Sequence, residues 1–168
     1  MTVRVEKIVS GGQTGVDRAA LDVAMTLQIP CGGWCPRGRR AEDGRIHDRY
    51  PLQETDSRSY SSRTIQNVVY SDGTLILAFG RVTGGTLLTK NAARQRRKPC
   101  LVVDLTHPPE IGDVKDWLRE YEIRVLNVAG PRASQAPDAY RLATSVLIKL
   151  LKAAAPTVRK RRRLRPKA

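Results

Sequence analysis

A glycine-rich segment, Ser10-Gly11-Gly12-Gln13-Thr14-Gly15, joins a short apolar stretch to a helix-forming stretch. Glycines let the backbone adopt positive φ and approach a ligand closely. The free N–H groups and the positive dipole end of the following helix favour an anion. The segment therefore predicts a phosphate site, although an ordinary strand–helix turn would have the same composition. The candidate binding residues are Gly11, Gly12, Gln13, Thr14, Gly15 and, in the first helical turn, Asp17.

Two further loops have the same kind of composition and position. Thr83-Gly84-Gly85-Thr86 follows the most apolar stretch of the chain and opens another helix, which makes Thr83, Gly84, Gly85 and Thr86 candidates. We expect the first and second loops to follow adjacent strands. In that arrangement both loops would face one crevice. Arg132 follows the last predicted strand and is suited to bidentate pairing with a phosphate, unless it is a solvated loop arginine.

Two polar residues on a predicted helix add to this set. Arg63 and Asn67 are four positions apart, so they share a helix face that could reach the crevice or lie in solvent. The preceding segment, residues 35–56, is polar and lacks clear periodicity, which suits a lid or an oligomer contact. No Ser/His/Asp set and no metal-ligand cluster is evident, and we interpret Cys31, Cys35 and Cys100 as reduced thiols.

The elements that must position these residues alternate along the chain. Predicted strands cover residues 4–10, 31–34, 73–79, 99–105 and 123–128, and predicted helices cover residues 14–27, 57–69, 83–97, 109–121 and 137–154. Strands that alternate with helices predict a parallel sheet covered on both faces. Ligands collect at the carboxyl ends of such strands. We therefore expect an α/β fold, a Rossmann-like three-layer α/β/α domain with a mostly parallel sheet.

Length and charge limit the organisation of the chain. The 168 residues suffice for one domain, which we predict over residues 1–155. Seven basic side chains in residues 159–168 carry half of the net charge of +14. We expect residues 156–168 to be a disordered basic tail with incidental nucleic-acid contact; a dedicated nucleic-acid role is the alternative. No apolar run approaches the roughly 18 residues of a membrane span, so we expect a cytoplasmic protein without membrane contact.

Several long blocks resemble the molybdenum cofactor carrier protein family, and the resemblance spans about residues 5–152. The blocks are residues 10–18, 32–44, 63–67, 72–77, 83–86, 98–99 and 127–132. This family is related to the Rossmann-like cytokinin-activating phosphoribohydrolases, also called lysine decarboxylase-like proteins. The resemblance implies a nucleotide-like ligand, with the molybdenum cofactor (a phosphorylated pyranopterin) as the carried molecule. It also implies a homo-oligomer, a dimer or a tetramer.

One position departs from the related hydrolases. Their second loop has the pattern Pro-Gly-Gly-x-Gly-Thr-x-x-Glu, and the glutamate serves catalysis. Aligning Gly85-Thr86 with that Gly-Thr places Thr89 where the glutamate would stand, and a threonine cannot act as a carboxylate base. We therefore expect a carrier or storage protein rather than an enzyme. The alternative is an enzyme or sensor acting on a nucleotide derivative, with Asp17 or Asp72 as its acid.

Overall fold

The computed structural model describes residues 4–107 and 109–152, so the predicted basic tail lies outside the described residues. The strands are β1 Lys7–Val9, β2 Cys31–Gly32, β3 Trp34–Cys35, β4 Arg40–Ala41, β5 Gly44–Arg45, β6 Gln53–Glu54, β7 Gly73–Ala78, β8 Cys100–Asp104 and β9 Val125–Ala129. The helices are α1 Val16–Thr26, α2 Tyr60–Val69, α3 Gly84–Gln95, α4 Ile111–Glu120 and α5 Ala139–Lys152.

The central sheet has five strands in the order β2-β1-β9-β7-β8, and every pairing in it is parallel. This confirms the predicted α/β class. The expectation that the two glycine-rich loops follow adjacent strands is wrong, because β9 pairs with both β1 and β7 and separates them. All three strands end at the same edge of the sheet, so the loops after β1, β9 and β7 are still neighbours.

The helices form two layers that cover the sheet. Helices α1, α4 and α5 pack together on one face, and α2 packs against α3 on the other. Side chains alternate along each strand: Leu75, Leu77 and Leu126 join the main core with α1 and α5, whereas Thr74 and Asn127 point to the α2–α3 side, where they hydrogen-bond to each other. All six residues of β7 are buried, as expected for a strand covered on both faces.

The segment of residues 35–56 corrects the prediction of a polar loop without regular structure. It contains the small β4–β5 ladder, pairs β6 with β3, and has its own apolar cluster on α1. The cluster consists of Leu21, Cys35, Ala41, Ile46, Tyr50 and Leu52.

Buried Arg39 organises this segment. Its guanidinium donates to the carbonyls of Ile46 (3.0 Å), Leu52 (3.2 Å), His47 (2.9 Å) and Tyr50 (2.8 Å). One rigid planar donor group therefore holds together a segment whose regular backbone pairing is confined to the β4–β5 and β3–β6 pairs. No helix in the described ranges is long and apolar enough to cross a membrane.

Candidate functional site

A crevice opens where β1, β9 and β7 end. It holds about 660 Å³ of space when the open solvent at its mouth is included. Six of the thirteen candidate residues line it, together with Tyr60, Thr64, Leu88, Thr89, Ala129, Gly130 and Gln135. The six are Gln13, Asp17, Arg63, Gly85, Thr86 and Arg132. Three different βα loops and the α2 helix therefore meet at one place, as the sequence predicts.

The first turn of α3 presents unoccupied backbone donors to this crevice. The N-cap residue Thr83 makes no side-chain capping bond, and within the described chain no acceptor contacts the amides of Gly85 and Thr86. Gly85 is exposed, and a Cβ built on it would meet no atom within 4 Å. The positive end of the α3 dipole is thus open, which favours an anion at this position.

The first glycine-rich loop is different, because the protein itself satisfies several of its amides. The N–H of Gln13 donates to Asp17 Oδ2 (3.3 Å), and that of Thr14 donates to the Gln13 side chain (3.0 Å). The N–H of Val16 donates to the Pro131 carbonyl (3.3 Å). These three donors are not free for a ligand, whereas the amides of Gly11, Gly12 and Gly15 meet no hydrogen-bond acceptor among the described residues. Of the loop residues, Gln13 lines the crevice.

Two glycines of this loop fit it against neighbouring segments. Gly15 has φ +79°, and a Cβ there would lie 2.4 Å from the Pro131 carbonyl oxygen. Gly12, with φ +76°, packs against Leu52 and Ile46 of the 35–56 segment. Gly12, Thr14, Gly15, Thr83 and Gly84 lie outside the lining of the crevice.

A buried ion pair forms the floor of the crevice. Arg63 Nη1 lies 3.0 Å from Asp17 Oδ2, and the two side chains are 13% and 4% exposed. Burial raises the pKa of Asp17 above its ordinary value, against the lowering effect of Arg63. Gly11 leaves room for this pair, because a Cβ there would come within 1.8 Å of Arg63 Nη1. Among buried side-chain atoms of the described residues, only Arg63 Nε has no hydrogen-bond partner.

Glu42 is a residue of this region that sequence reasoning did not select. Its carboxylate accepts hydrogen bonds from the Thr14 hydroxyl, the Ser134 amide (3.1 Å) and the Ser134 hydroxyl (2.5 Å). It also lies 3.6 Å from Arg132 Nε, and its own amide donates to Gln13 Oε1 (2.9 Å). Glu42 therefore joins the 35–56 segment to the loops after β1 and β9, and it holds Arg132 at the crevice.

The sequence matches a known protein family over most of its length. The model of the circularly permuted YpsA SLOG family matches residues 8–151. The chain belongs to this family. A search of curated proteins finds no match.

A solved structure confirms the resemblance found in the sequence. It is the crystal structure, at 1.45 Å resolution, of a putative molybdenum carrier protein from Syntrophus aciditrophicus SB. The two sequences are 46% identical, the TM-score is 0.85, and the match covers 90% of this chain and 97% of that chain.

Asn67 of α2 is hydrogen-bonded to the backbone of Trp34. Its side chain accepts from the Trp34 amide (2.7 Å) and donates to the Trp34 carbonyl (3.0 Å). This pairing of an amide side chain with one backbone residue fixes β3 against α2. Asn67 and Gly11 line only a small recess beneath the crevice, beside Asp17 and Arg63.

Thr89 and Asp72 are the two residues relevant to the question of catalysis. Thr89 lines the crevice, but its hydroxyl donates to the Gly85 carbonyl within α3 (3.0 Å). Asp72, one of the two acids considered, precedes β7 and accepts from the amides of Arg124 (3.0 Å) and Val125 (2.7 Å). It therefore lies at the amino ends of the strands, across the sheet from the crevice, and the suggestion that it acts there is wrong.

Proposed function

We propose that this protein binds a phosphorylated, nucleotide-like small molecule in the crevice, with the phosphate at the first turn of α3. The observation that carries the proposal is the set of open amides at Gly85 and Thr86 facing a crevice that also contains Arg63 and Arg132. Backbone donors at a helix N-terminus bind phosphate oxygens, and guanidinium groups add charge-assisted hydrogen bonds.

The proposed cargo is the molybdenum cofactor, and the proposed role is to carry or store it. A related protein of known structure is named as a molybdenum carrier, and 46% identity over nearly the whole chain supports a shared ligand. The crevice offers Gln13, Gln135 and the Tyr60 ring beside the phosphate position. Amide side chains and an aromatic ring are suited to the polar edges and the face of a heterocycle such as a pterin.

The acidic groups available in the crevice favour a carrier role over catalytic turnover. Asp17 is buried under Arg63, and its Oδ2 is already engaged by Arg63 and by the Gln13 amide. Thr89, at the position aligned with the hydrolase glutamate, has no acidic group. A general acid or base needs an accessible proton-transfer atom near the bound molecule. The proposed function is therefore binding and release without chemical change.

Ligand identification tests this proposal. Protein purified under anaerobic conditions would be denatured, and the released small molecules would be identified by mass spectrometry. Empty protein would then be titrated with molybdenum cofactor and with its dephosphorylated form by calorimetry. We expect saturable binding of the phosphorylated compound and at least tenfold weaker binding without the phosphate. Absence of a phosphorylated heterocycle together with no uptake of added cofactor would overturn the proposal.

Three expectations beyond the ligand remain proposals as well. We propose a homo-oligomer. Light scattering of the full chain tests this by measuring the molar mass of the particle in solution. We propose a cytoplasmic location, which cell fractionation with an antibody to the chain tests. We also propose that residues 157–168 are accessory: their deletion should abolish salt-sensitive binding of a nucleic acid while leaving cofactor binding intact.

A further inference from the structure

A second cavity lies beside the crevice, on the other side of the first turn of α3. It forms where β7 ends, between the loop that leads into α3 and the loop after β9. Its walls include Phe79, Val82, Pro131 and Ala136, and it holds about 460 Å³ counting its open mouth. The first glycine-rich loop, Arg63 and Arg132 do not line it. The second cavity is therefore lined mostly by different residues and is smaller than the crevice.

The second cavity has polar and apolar walls in similar measure, and one cationic side chain lines it. Phe79 is half-buried and Ala136 is buried, so both give a fixed surface. Thr83 and Gln135 add polar groups to the walls. The exposed side chain of Arg81 lines the same space, and no acidic side chain does. A heterocycle, which has an apolar face and polar edges, next to an anionic group fits these walls.

The two cavities meet at the proposed phosphate position. Thr86 and Gln135 line both, and the Gln135 side-chain amide lies 3.9 Å from a Cβ built on Gly84. A molecule whose phosphate lies at the α3 turn would therefore have a cavity on each side of that phosphate. A phosphate monoester ends at its phosphate and occupies only one of the two cavities.

We propose that the ligand is a pyrophosphate-linked dinucleotide-like molecule, with one heterocyclic half in the crevice and the second half in the cavity beside Phe79 and Arg81. This inference rests on the proposed function, because it assumes a phosphate at the α3 turn. The pyrophosphate lies over Gly85 and Thr86, and Arg81 binds the second phosphate. The pyranopterin phosphate joined to a nucleotide has this chemistry.

Calorimetry with two matched probes tests the inference. The probes are molybdenum cofactor, which has a single terminal phosphate, and the same compound linked through pyrophosphate to guanosine. Full-length wild-type protein, Arg81→Gln and the control Arg124→Gln are titrated with each. Arg124 is 68% exposed and lies beside the amino ends of the strands, so its substitution removes an equal charge far from both cavities.

We expect the dinucleotide form to bind wild-type protein at least tenfold more tightly than the monophosphate form. Arg81→Gln should remove most of that difference without changing the affinity for the monophosphate, and Arg124→Gln should change neither affinity. Equal affinities for the two probes, or a difference that survives Arg81→Gln, would overturn the second subsite and leave the proposed function standing. Failure of both probes to bind wild-type protein would overturn the proposed function and this inference together.

Discussion

Arg63 of α2 and Asp17 of α1 form their ion pair across the carboxyl edge of the sheet, although their helices cover opposite faces. The contact joins residues 46 positions apart at 3.0 Å. It holds the two helical layers together at the point where the crevice opens. The pair is thus both a structural contact between layers and the floor of the proposed binding site.

Arg63→Met should destabilise the protein by about 3 kcal/mol at pH 7, because it leaves a carboxylate buried without its cation. Chemical denaturation measures this difference. Arg124→Met removes an arginine that lies 3.9 Å from Glu6 at an exposed position, and it should change stability by no more than about 0.5 kcal/mol. An equally small effect of Arg63→Met would show that the buried pair does not hold the layers together.

The destabilisation by Arg63→Met should depend on pH. Burial already raises the pKa of Asp17, and loss of Arg63 removes the largest influence that lowers it. The folded variant therefore binds a proton more readily than the folded wild type does. The stability difference between them should be greatest above the pKa of Asp17 in the variant, and it should shrink as pH falls through that value. A difference that stays constant between pH 8 and pH 4 would contradict the assignment.

Gly85→Asp tests the phosphate position without disturbing the fold. Gly85 and Gly112 are each the second residue of a helix, and a Cβ on either meets no atom within 4 Å. An aspartate in the first turn should leave stability unchanged or raise it by about 0.5–1 kcal/mol in both variants. Only Gly85→Asp should lower the affinity for molybdenum cofactor, by tenfold or more, because its carboxylate repels the phosphate. Equal affinities of the two variants in calorimetry would place the phosphate elsewhere.

Glu42→Gln should weaken the junction between the 35–56 segment and the loops after β1 and β9. Burial opposes the charge on Glu42, but hydrogen bonds from Ser134 and Thr14 outweigh it and hold its pKa below the ordinary value of 4.5. We expect a loss of about 1–3 kcal/mol in the free energy of unfolding at pH 7. This contribution should be present above about pH 4.5 and disappear as pH falls through the lower folded pKa. Glu6→Gln, at a position 60% exposed, is the control and should have little effect.

Arg39→Met should unfold the 35–56 segment in preference to the rest of the chain. It removes four bonds from a buried guanidinium and leaves the carbonyls of Ile46 and Leu52 without a donor among the described residues, at a cost of about 3 kcal/mol or more. Hydrogen exchange should accelerate at the amide of Ile46, which donates to the Arg39 carbonyl (2.7 Å). Arg37→Met, at an exposed position two residues away, should leave that exchange rate unchanged. Unchanged exchange in Arg39→Met would contradict the organising role of Arg39.

Tyr140 should titrate late. Burial and the hydrogen bond from its hydroxyl to Asp22 (2.6 Å) raise the pKa of Tyr140 to about 12. Its contribution to stability should be present below pH 10 and lost as pH rises towards 12. In an ultraviolet titration, Tyr140→Phe should reduce the absorbance change that occurs near pH 12, whereas Tyr121→Phe should leave that part of the curve unchanged. A curve that keeps its full amplitude near pH 12 in Tyr140→Phe would refute the assignment.

The sequence predicts the strands of the sheet and six of the thirteen residues that line the crevice, because local patterns specify them. The unbroken apolar run of β7 and the helical spacing in α1 and α5 identify elements whose burial the structure confirms. Glycines before two helices identify the loops at the carboxyl edge. These signals are readable because each depends on neighbours within a few positions.

The sequence does not predict the strand order or the 35–56 segment, because both depend on distant contacts. Nothing near β9 in the sequence shows that it lies between β1 and β7. Arg39 resembles its exposed neighbours Arg37 and Arg40 in sequence, yet it alone of the three is buried. Glu42 acquires its role only when Thr14 and Ser134 approach it from 28 and 92 positions away.

The central position of β9 has a consequence for how the protein is made. On the ribosome, the pair β1–β2 and the pair β7–β8 emerge first, and no strand hydrogen bond connects one pair to the other until β9 arrives. The crevice spans all three of β1, β9 and β7, so it does not exist in the nascent chain before that moment. The proposed cargo could therefore be captured only by a chain in which β9 has already been translated.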